Sequence, residues 1–378
     1  MSTWDYIVVG AGSAGCVVAN RLVKRGASVL LIEAGGEDRN FWLHLPVGYF
    51  RTIFDSRFAR HFETEPQPES GNRRIVWPRG RVLGGSSSIN GLIYIRGQRQ
   101  DYDDWARQGA DGWHYDAVLP WFRKSEGYSG PRGPFHGHEG ELGVSDLRND
   151  HPYCGAWLEA AQQFGLPFNP DFNGETDYGV GAYQLSIRDG WRSSTASAFL
   201  KPVRQHPSLT VMTHTQVERV VFEGTRAVGV ACVPAMSRSD VRLAAGARSD
   251  GGSNGGGAKG GGSNDGAGAR QVLRANREVI LCAGALQSPQ LLQLSGIGAA
   301  KHLREHGIDI IAESPEVGEN LQDHYQARTI VRLRDKRSLN NDIRNPMRLA
   351  QMGLQWAIGS RGPLTVGAGQ VGGFAKSS

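Results

Sequence analysis

The hydrophobic pattern of the N-terminal region alternates between short apolar runs and a helical stretch. Residues 5–9 and 27–32 are largely apolar, as in strands buried on both faces of a parallel sheet. Between them, residues 16–24 place apolar side chains at helical spacing. Glycines concentrate where the first run meets the helix. The pattern predicts a strand, a glycine turn, a helix and a second strand.

Later apolar runs predict further strands at residues 209–213, 216–223, 227–233, 272–275 and 277–283. Glu223-Gly224-Thr225 is a turn between the second and third of these runs, and the series predicts a β-meander over residues 209–275. A short helix is expected after the last strand, with Ser288 as its N-cap, Pro289 in its first turn and Gly296 at its end. The fold class is therefore α/β, with a mostly parallel sheet and flanking helices.

One segment breaks this pattern. Residues 236–270 lose the hydrophobic periodicity, and nearly half of residues 246–268 are glycine, accompanied by Ser, Asn, Asp and Ala. This composition is typical of a flexible linker. We interpret the segment as a flexible insert that replaces a surface turn, since lengthening a loop costs little free energy.

The glycine turn has the sequence Gly10-Ala11-Gly12-Ser13-Ala14-Gly15. In a nucleotide-binding turn of this spacing, the first glycine permits the tight turn and the second lets backbone approach a pyrophosphate. The third glycine lets the helix lie close to the strand, while the N–H groups at the helix N-terminus face the phosphate charge. The sequence therefore predicts dinucleotide binding at residues 10–15.

Glu33 ends the second strand, about 20 residues beyond the glycines, where an acid binds the ribose diol of a dinucleotide. Its charge would repel a 2′-phosphate and so disfavours NADP. The motif alone does not separate NAD from FAD. The same glycine pattern recurs from Gly367 to Gly372, but Gly362-Pro363 precedes it and no helical pattern follows before Ser378. We interpret this second match as coincidental.

A second glycine-rich run, residues 80–91, reads Gly-Arg-Val-Leu-Gly-Gly-Ser-Ser-Ser-Ile-Asn-Gly. Its glycines and serines cannot pack a core, but they bring backbone N–H groups and hydroxyls against a flat, polar cofactor. Its position downstream of a nucleotide-binding N-terminus indicates a flavin enzyme.

Residues 80–103 resemble the first signature of the glucose-methanol-choline oxidoreductases, and residues 284–298 resemble the second. The Glu33-Ala34-Gly35 turn and residues 317–324 are also similar to this family, in the same order. The resemblance covers nearly the whole chain apart from the insert. It is closest to the choline-dehydrogenase-like and bacterial alcohol-dehydrogenase branch.

The resemblance implies a Rossmann-like FAD-binding domain over residues 1–322, with a β-meander and with the insert at 236–270. Residues 323–378 would be the beginning of an antiparallel α+β substrate domain. FAD is expected to lie extended, with its pyrophosphate at the first glycine turn and its ring beside the serine-rich run. The expected cofactor-binding residues are Gly10, Gly12, Ser13, Ala14, Gly15, Glu33, Ala34, Trp77, Arg81, Val82, Gly84, Gly85, Ser86, Asn90, Gly91, Leu92, Ile93, Val217 and Ala283. Ile89 occupies the place where covalently flavinylated relatives carry histidine, so noncovalent FAD is expected.

The implied reaction is oxidation of a primary alcohol, choline-like or aliphatic, to an aldehyde by hydride transfer to flavin N5, with a quinone or a carrier protein as electron acceptor. The family's catalytic base is a histidine in a C-terminal segment that this sequence does not contain, so no catalytic residue is nominated. A catalytically incomplete FAD-binding chain is the alternative. A pyridine-nucleotide reductase would need a second well-placed glycine motif and a redox cysteine pair.

Length, composition and charge limit the number of domains, the kind of partner and the location that we expect for this chain. A chain of 378 residues with 39% hydrophobic content forms one large or two ordinary domains. Its net charge of +5 is spread among interleaved acids, which disfavours nucleic-acid binding. The first strand starts too early for a signal peptide, and no long uncharged apolar window is present. We expect a cytoplasmic protein, or one peripheral at a membrane.

The cysteines and histidines do not form a recognisable metal or redox motif. Four widely spaced cysteines predict buried free thiols. The pairs His302/His306 and His136/His138 have metal-like spacing but lack a clustered third ligand, so we expect surface or loop histidines and no metal site.

Overall fold

The computed structural model describes residues 3–149, 151–235, 270–332, 334 and 338–376. The predicted flexible insert at 236–270 lies outside the described residues, apart from Arg270. The strands are β1 Thr3–Val9, β2 Val29–Ile32, β3 Ala59–Glu63, β4 Val76–Gly80, β5 Glu126–Tyr128, β6 Leu142–Val144, β7 Gly179–Ala182, β8 Ile187–Arg188, β9 Trp191–Arg192, β10 Leu209–Met212, β11 Thr215–Glu223, β12 Arg226–Pro234, β13 Gln271–Leu281, β14 Ile297–Gly298, β15 Ala312–Glu313 and β16 Val371–Phe374. The α-helices are α1 Ser13–Lys24, α2 Phe41–His44, α3 Tyr49–Thr52, α4 Arg99–Arg107, α5 Tyr115–Ser125, α6 Pro152–Gln163, α7 Gly284–Leu294, α8 Ala300–Glu305, α9 Leu339–Asp342 and α10 Pro346–Gly359.

The chain divides into two compact units. The first comprises Met1–Glu37, Arg81–Leu83 and Val203–Asp323, and the second comprises Asp38–Gly80, Gly84–Pro202 and His324–Ser378. The predicted division into residues 1–322 and 323–378 is a family-based division, and it stays a prediction.

The first unit contains a mixed six-stranded sheet in the order β10-β2-β1-β13-β12-β11. The first four strands in this order, β10, β2, β1 and β13, run parallel to one another. Strand β12 pairs in antiparallel orientation with both β13 and β11. Ile7 and Leu30 are completely buried at the centre of this sheet, as the apolar runs predict. The predicted α/β class is confirmed.

The meander begins later in the chain than predicted. Strand β10 pairs in parallel with β2 at one edge of the sheet, so the meander consists of β11, β12 and β13 at the other edge. Thr213 and His214, the latter with a left-handed φ of 52°, separate β10 from β11. The two predicted strands at 272–275 and 277–283 form one strand, β13.

The helix after β13 also begins earlier than predicted. Helix α7 starts at Gly284 with Ala283 as its N-cap, and Pro289 lies inside it rather than in its first turn. Gly284 has a φ of 86°, which lets the chain turn directly from strand into helix without the Ser288 cap. The helix ends before Gly296, as predicted.

The second unit is built from short strand pairs and helices. Strands β3 and β4, β8 and β9, and β7 and β16 form antiparallel pairs, while β5 and β6 are parallel. The second glycine match is followed by strand β16 rather than by a helix, which agrees with its interpretation as coincidental. Within the described ranges, no helix has the length and apolar character needed to cross a bilayer.

His136 lies in a loop, which is one of the two predicted alternatives, but its side chain is buried rather than at the surface. Its side chain is 4% exposed, and its two ring nitrogens lie 3.1 Å from Glu126 Oε1 and 2.9 Å from Asp171 Oδ2. Arg96 also donates to the fully buried Glu126. Because both ring nitrogens face carboxylates, both must donate, and His136 is an imidazolium. Burial opposes this charge, but the hydrogen bonds to Asp171 and Glu126 outweigh it and raise the pKa of His136 to about 9.

This ion network predicts a pH-dependent stability. The raised pKa of His136 means that its contribution is fully present below its ordinary value of 6.5 and is lost as pH rises through about 9. We expect the difference in unfolding free energy between the native chain and His136→Gln to shrink by about 3 kcal/mol over that interval, measured by urea unfolding. His138→Gln is the control, because His138 contacts the carbonyl oxygen of Tyr128 through Nδ1 and not a carboxylate. A His136→Gln difference that stays constant with pH would contradict the charged network.

Candidate functional site

The predicted strand, turn and helix are present at the N-terminus, and their glycines are sterically required. Gly10 has a φ of 97°, and a Cβ there would lie 2.5 Å from the carbonyl oxygen of Cys282. A Cβ on Gly15 would lie 1.9 Å from the carbonyl oxygen of Gly10. The turn therefore has this close geometry only with glycine at both positions.

The N-terminus of α1 has the electrostatic character of an anion site. Gly12 is the N-cap and offers no side-chain cap, and the first turn contains no acidic residue. Ser13 and Ala14 are exposed at the tip of the helix. The first N–H groups of a helix have no partner within it, and its dipole is positive at this end. A pyrophosphate fits this donor set.

Glu33 lies beside the same turn and is 7% exposed. Its Oε2 accepts a hydrogen bond from Ala11 N at 2.9 Å, and its Oε1 accepts one from Gly35 N at 2.8 Å. Burial raises the pKa of Glu33, although these two hydrogen bonds act in the opposite direction. A carboxylate accepts about four hydrogen bonds, so the two backbone bonds leave capacity for the two hydroxyls of a ribose diol.

The turn after Glu33 contacts the start of the serine-rich run. Gly36 and Val82 form a parallel bridge, and Leu83 N donates to Gly36 O at 3.0 Å. A Cβ on Gly35 would lie 2.0 Å from the carbonyl oxygen of Arg81. Within the first unit, the structure thus brings the Glu33-Ala34-Gly35 turn close to residues 81–83, which are distant in sequence. Of these residues, Glu33, Ala34, Arg81 and Val82 were predicted as cofactor ligands.

Two other predicted residues of the first unit have different surroundings. Val217 is 3% exposed and packs in the hydrophobic core with Ile7, Leu30 and Val230. Its side chain is therefore committed to packing, and only its backbone remains for an adenosine ring. Ala283 is partly buried at the end of β13, as the N-cap of α7.

In the second unit, the serine hydroxyls stabilise the loop itself. Gly84 and Gly85 have left-handed φ values of 86° and 54° and lead into a 3₁₀ turn, Gly85–Ser88. Ser86 Oγ accepts from Gly80 N at 3.0 Å. Ser87 Oγ donates to Gly84 O at 2.6 Å and accepts from Thr195 N at 3.0 Å. These bonds fix the backbone of the loop.

The end of the loop presents both exposed and buried groups. Asn90 and Ile93 are exposed, whereas Leu92 is completely buried against Leu185 and Ile187. Trp77, in β4, is partly buried. Ala368 N donates to Gly91 O at 2.8 Å, so the second glycine match packs against this loop. A Cβ on Gly367 would lie 2.5 Å from the carbonyl oxygen of Gly91, so glycine at this position allows the close approach.

Arg192, in β9, was not predicted. It is 3% exposed, and its Nη1 donates to Asn90 Oδ1 at 2.7 Å and to Ser87 O at 3.1 Å. No local motif marks this arginine, because its partners lie about 100 residues away in the sequence.

In the described part of the chain, the histidines and cysteines form neither a metal cluster nor a disulfide. His302 and His306 have ring centroids 4.7 Å apart, but no group of three or more potential metal ligands is found among the described residues. None of the four cysteines, all of which the structure describes, forms a disulfide; Cys16 and Cys232 are buried as predicted, whereas Cys154 and Cys282 are only partly buried.

Comparison with known proteins identifies close relatives. A family model described as GMC oxidoreductase matches residues 4–248 and 258–326. The chain is 38% identical to mitochondrial choline dehydrogenase of Mus musculus, over 99% of this chain and 59% of that protein. It is 37% identical to alcohol dehydrogenase [acceptor] of Pseudomonas putida, over 99% of this chain and 63% of that protein. The chain thus spans about three fifths of the length of these relatives.

Solved structures share the fold of this chain. Pyridoxine 4-oxidase from Mesorbium loti superposes with a TM-score of 0.70 and 31% identity, over 82% of this chain and 55% of that one. An FAD-dependent oxidoreductase from Chaetomium thermophilum superposes with a TM-score of 0.80 and 26% identity, over 98% of this chain and 61% of that one. The resemblance predicted from the two signatures is confirmed, and the chain belongs to the GMC oxidoreductase family.

Proposed function

We propose that the chain is the FAD-binding part of an oxidoreductase that oxidises a primary alcohol, choline-like or aliphatic, to an aldehyde. FAD is the cofactor that membership of this family implies. The observation that carries the proposal is the N-terminal turn, in which the tip of α1, with a glycine as its N-cap, comes together with the buried Glu33 and residues 81–83. The relatives that match 99% of this chain are named choline dehydrogenase and alcohol dehydrogenase, and these names support the proposed substrate class.

The residues present fit the cofactor. The N–H groups at the tip of α1 would bind the pyrophosphate, with Gly12 allowing its approach, and Glu33 would bind the adenosine ribose. Ala34 and Val217 are proposed near the adenine. In the second unit, Trp77 and the loop from Gly84 to Ile93 are proposed to bind the flavin ring. Ile89 is aliphatic and 2% exposed, so we propose that no covalent bond holds the flavin.

When bound, FAD would accept a hydride from the alcohol carbon at N5. The protein must hold that carbon in place and bind the negative charge of the reduced cofactor with nearby donors. Asn90 is exposed at the end of the loop and offers such a donor. The base that takes the hydroxyl proton is not assigned to a residue of this chain. A quinone or a carrier protein is proposed as the electron acceptor.

Anaerobic reduction tests this function. The purified chain is loaded with FAD, and choline or a primary aliphatic alcohol is added while the flavin absorbance is followed. Bleaching faster than that of free FAD is the expected result. Bound flavin that no alcohol bleaches would contradict alcohol oxidation and support the FAD-binding chain without catalysis. A chain that retains no FAD would contradict both the alcohol oxidoreductase and the FAD-binding chain without catalysis.

A further inference from the structure

We propose that Arg192 is a positioning residue for the flavin: it holds the Asn90 side chain so that the amide NH₂ group faces the cofactor, and it supplies a positive charge that favours the reduced state. This inference rests on the proposed function, because it assumes that FAD binds beside Asn90. It assigns a role to a residue outside both sequence signatures.

Hydrogen bonds fix the orientation of the Asn90 amide. Arg192 Nη1 donates to Asn90 Oδ1 at 2.7 Å, and Leu92 N donates to the same atom at 3.2 Å. A nitrogen at that position would face two donors, so the atom is the carbonyl oxygen. The NH₂ group therefore lies on the other side of the amide, and Asn90 is exposed. The loop presents a donor to its ligand, and not an acceptor.

The charge of Arg192 is not neutralised by a neighbouring acid. No carboxylate lies within ion-pair distance of Arg192 among the residues that the structure describes, and its Nε and Nη2 atoms have no hydrogen-bond partner there. Burial lowers the pKa of Arg192 to about 9, so the side chain is still a cation at pH 7. Burying an unpaired charge is unfavourable, and perturbed charges of this kind concentrate at functional sites.

The backbone around Arg192 is held in place. Ser87 O accepts from Arg192 Nη1, and Ser87 Oγ lies 2.9 Å from Thr195 Oγ1. The segment that follows Arg192 is thus tied to the same loop that Arg192 contacts. A cation on a rigid support keeps its effect on a ligand without reorganising when the charge of the ligand changes.

The consequence concerns the two redox states of the flavin. Two-electron reduction adds negative charge to the ring, while the oxidised ring is neutral. A fixed donor and a nearby cation stabilise the charged state more than the neutral state. Arg192 and Asn90 should therefore raise the midpoint potential of the bound flavin.

The test measures the midpoint potential of FAD bound to the purified chain. We expect Arg192→Met to reduce the affinity for reduced relative to oxidised flavin about tenfold, which lowers the potential by about 30 mV for a two-electron couple. Arg192→Lys keeps the charge and should recover part of the loss. Asn90→Asp replaces the donor by an acceptor on an exposed residue and should lower the potential at least as much.

Arg188→Met is the matched control, because Arg188 lies on the paired strand β8 and donates to Gly140 O rather than to the loop. Its potential should equal that of the native chain. A folded Arg192→Met variant with an unchanged potential would overturn the inference, and if that variant does not fold, an unchanged potential in Asn90→Asp would do so. Failure of the native chain to bind FAD would instead remove the proposed function on which the inference rests.

Discussion

Replacing Gly12 with valine is expected to reduce the affinity of the chain for FAD by at least about a hundredfold, equivalent to about 2.7 kcal/mol. Gly12 is the N-cap of α1, at the point where backbone must approach the pyrophosphate. A branched side chain there would hold the phosphate away from the helix N–H groups. Quenching of flavin fluorescence during titration measures the change.

The fold should survive this substitution, which separates binding from stability. Gly12 has φ −84° and ψ −158°, an extended backbone with a negative φ that does not require glycine. The thermal midpoint of the FAD-free chain should therefore stay close to that of the native chain. The control is Gly155→Val, since a Cβ at Gly155 meets nothing within 4 Å. Native affinity for FAD in Gly12→Val would contradict the assignment of the pyrophosphate to this turn.

Glu33→Ala is expected to impair both stability and FAD binding. The substitution removes the acceptor for Ala11 N and Gly35 N beside a buried carboxylate. Each buried N–H left without a partner costs about 1 to 3 kcal/mol, so we expect a loss of about 2 to 6 kcal/mol in unfolding free energy. The ribose diol loses its acceptor at the same time. Urea unfolding and FAD titration measure the two effects separately.

Glu37→Ala is the control for Glu33→Ala. Glu37 pairs with Arg204 at 2.7 Å, but its side chain is 30% exposed. An ion pair with this access to water contributes about 1 kcal/mol or less. If Glu33→Ala proved as mild as Glu37→Ala in both measurements, Glu33 would have neither the structural nor the binding role assigned to it.

The sequence predicted those features whose causes are local. The apolar run, glycine spacing and helical periodicity of residues 5–24 lie within one continuous segment, so the strand, turn and helix were predicted correctly. Helix α1 begins at Ser13 rather than at Cys16, because the exposed first turn lacks an apolar signal. The contact between Gly36 and Val82 was not predicted, because no local pattern links these two segments.

Features that depend on distant partners were not predictable. The parallel pairing of β10 with β2 joins segments that are about 180 residues apart, as in Leu209 and Val29. The burial of His136 depends on Glu126 and Asp171, which are 10 and 35 residues away. Arg192 similarly becomes informative only when its hydrogen bond to Asn90 is known. In each case the side chain has an ordinary sequence context, and the tertiary contact determines its state.

The central claim is that the N-terminal turn binds the ADP half of FAD, and competition binding tests it most directly. The purified chain is titrated with FAD, with FMN, which lacks the AMP part of FAD and keeps a single phosphate, and with FAD in the presence of ADP. We predict one FAD per chain, much weaker binding of FMN, and displacement of FAD by ADP. Equal affinity for FMN and FAD, together with no competition by ADP, would contradict the claim.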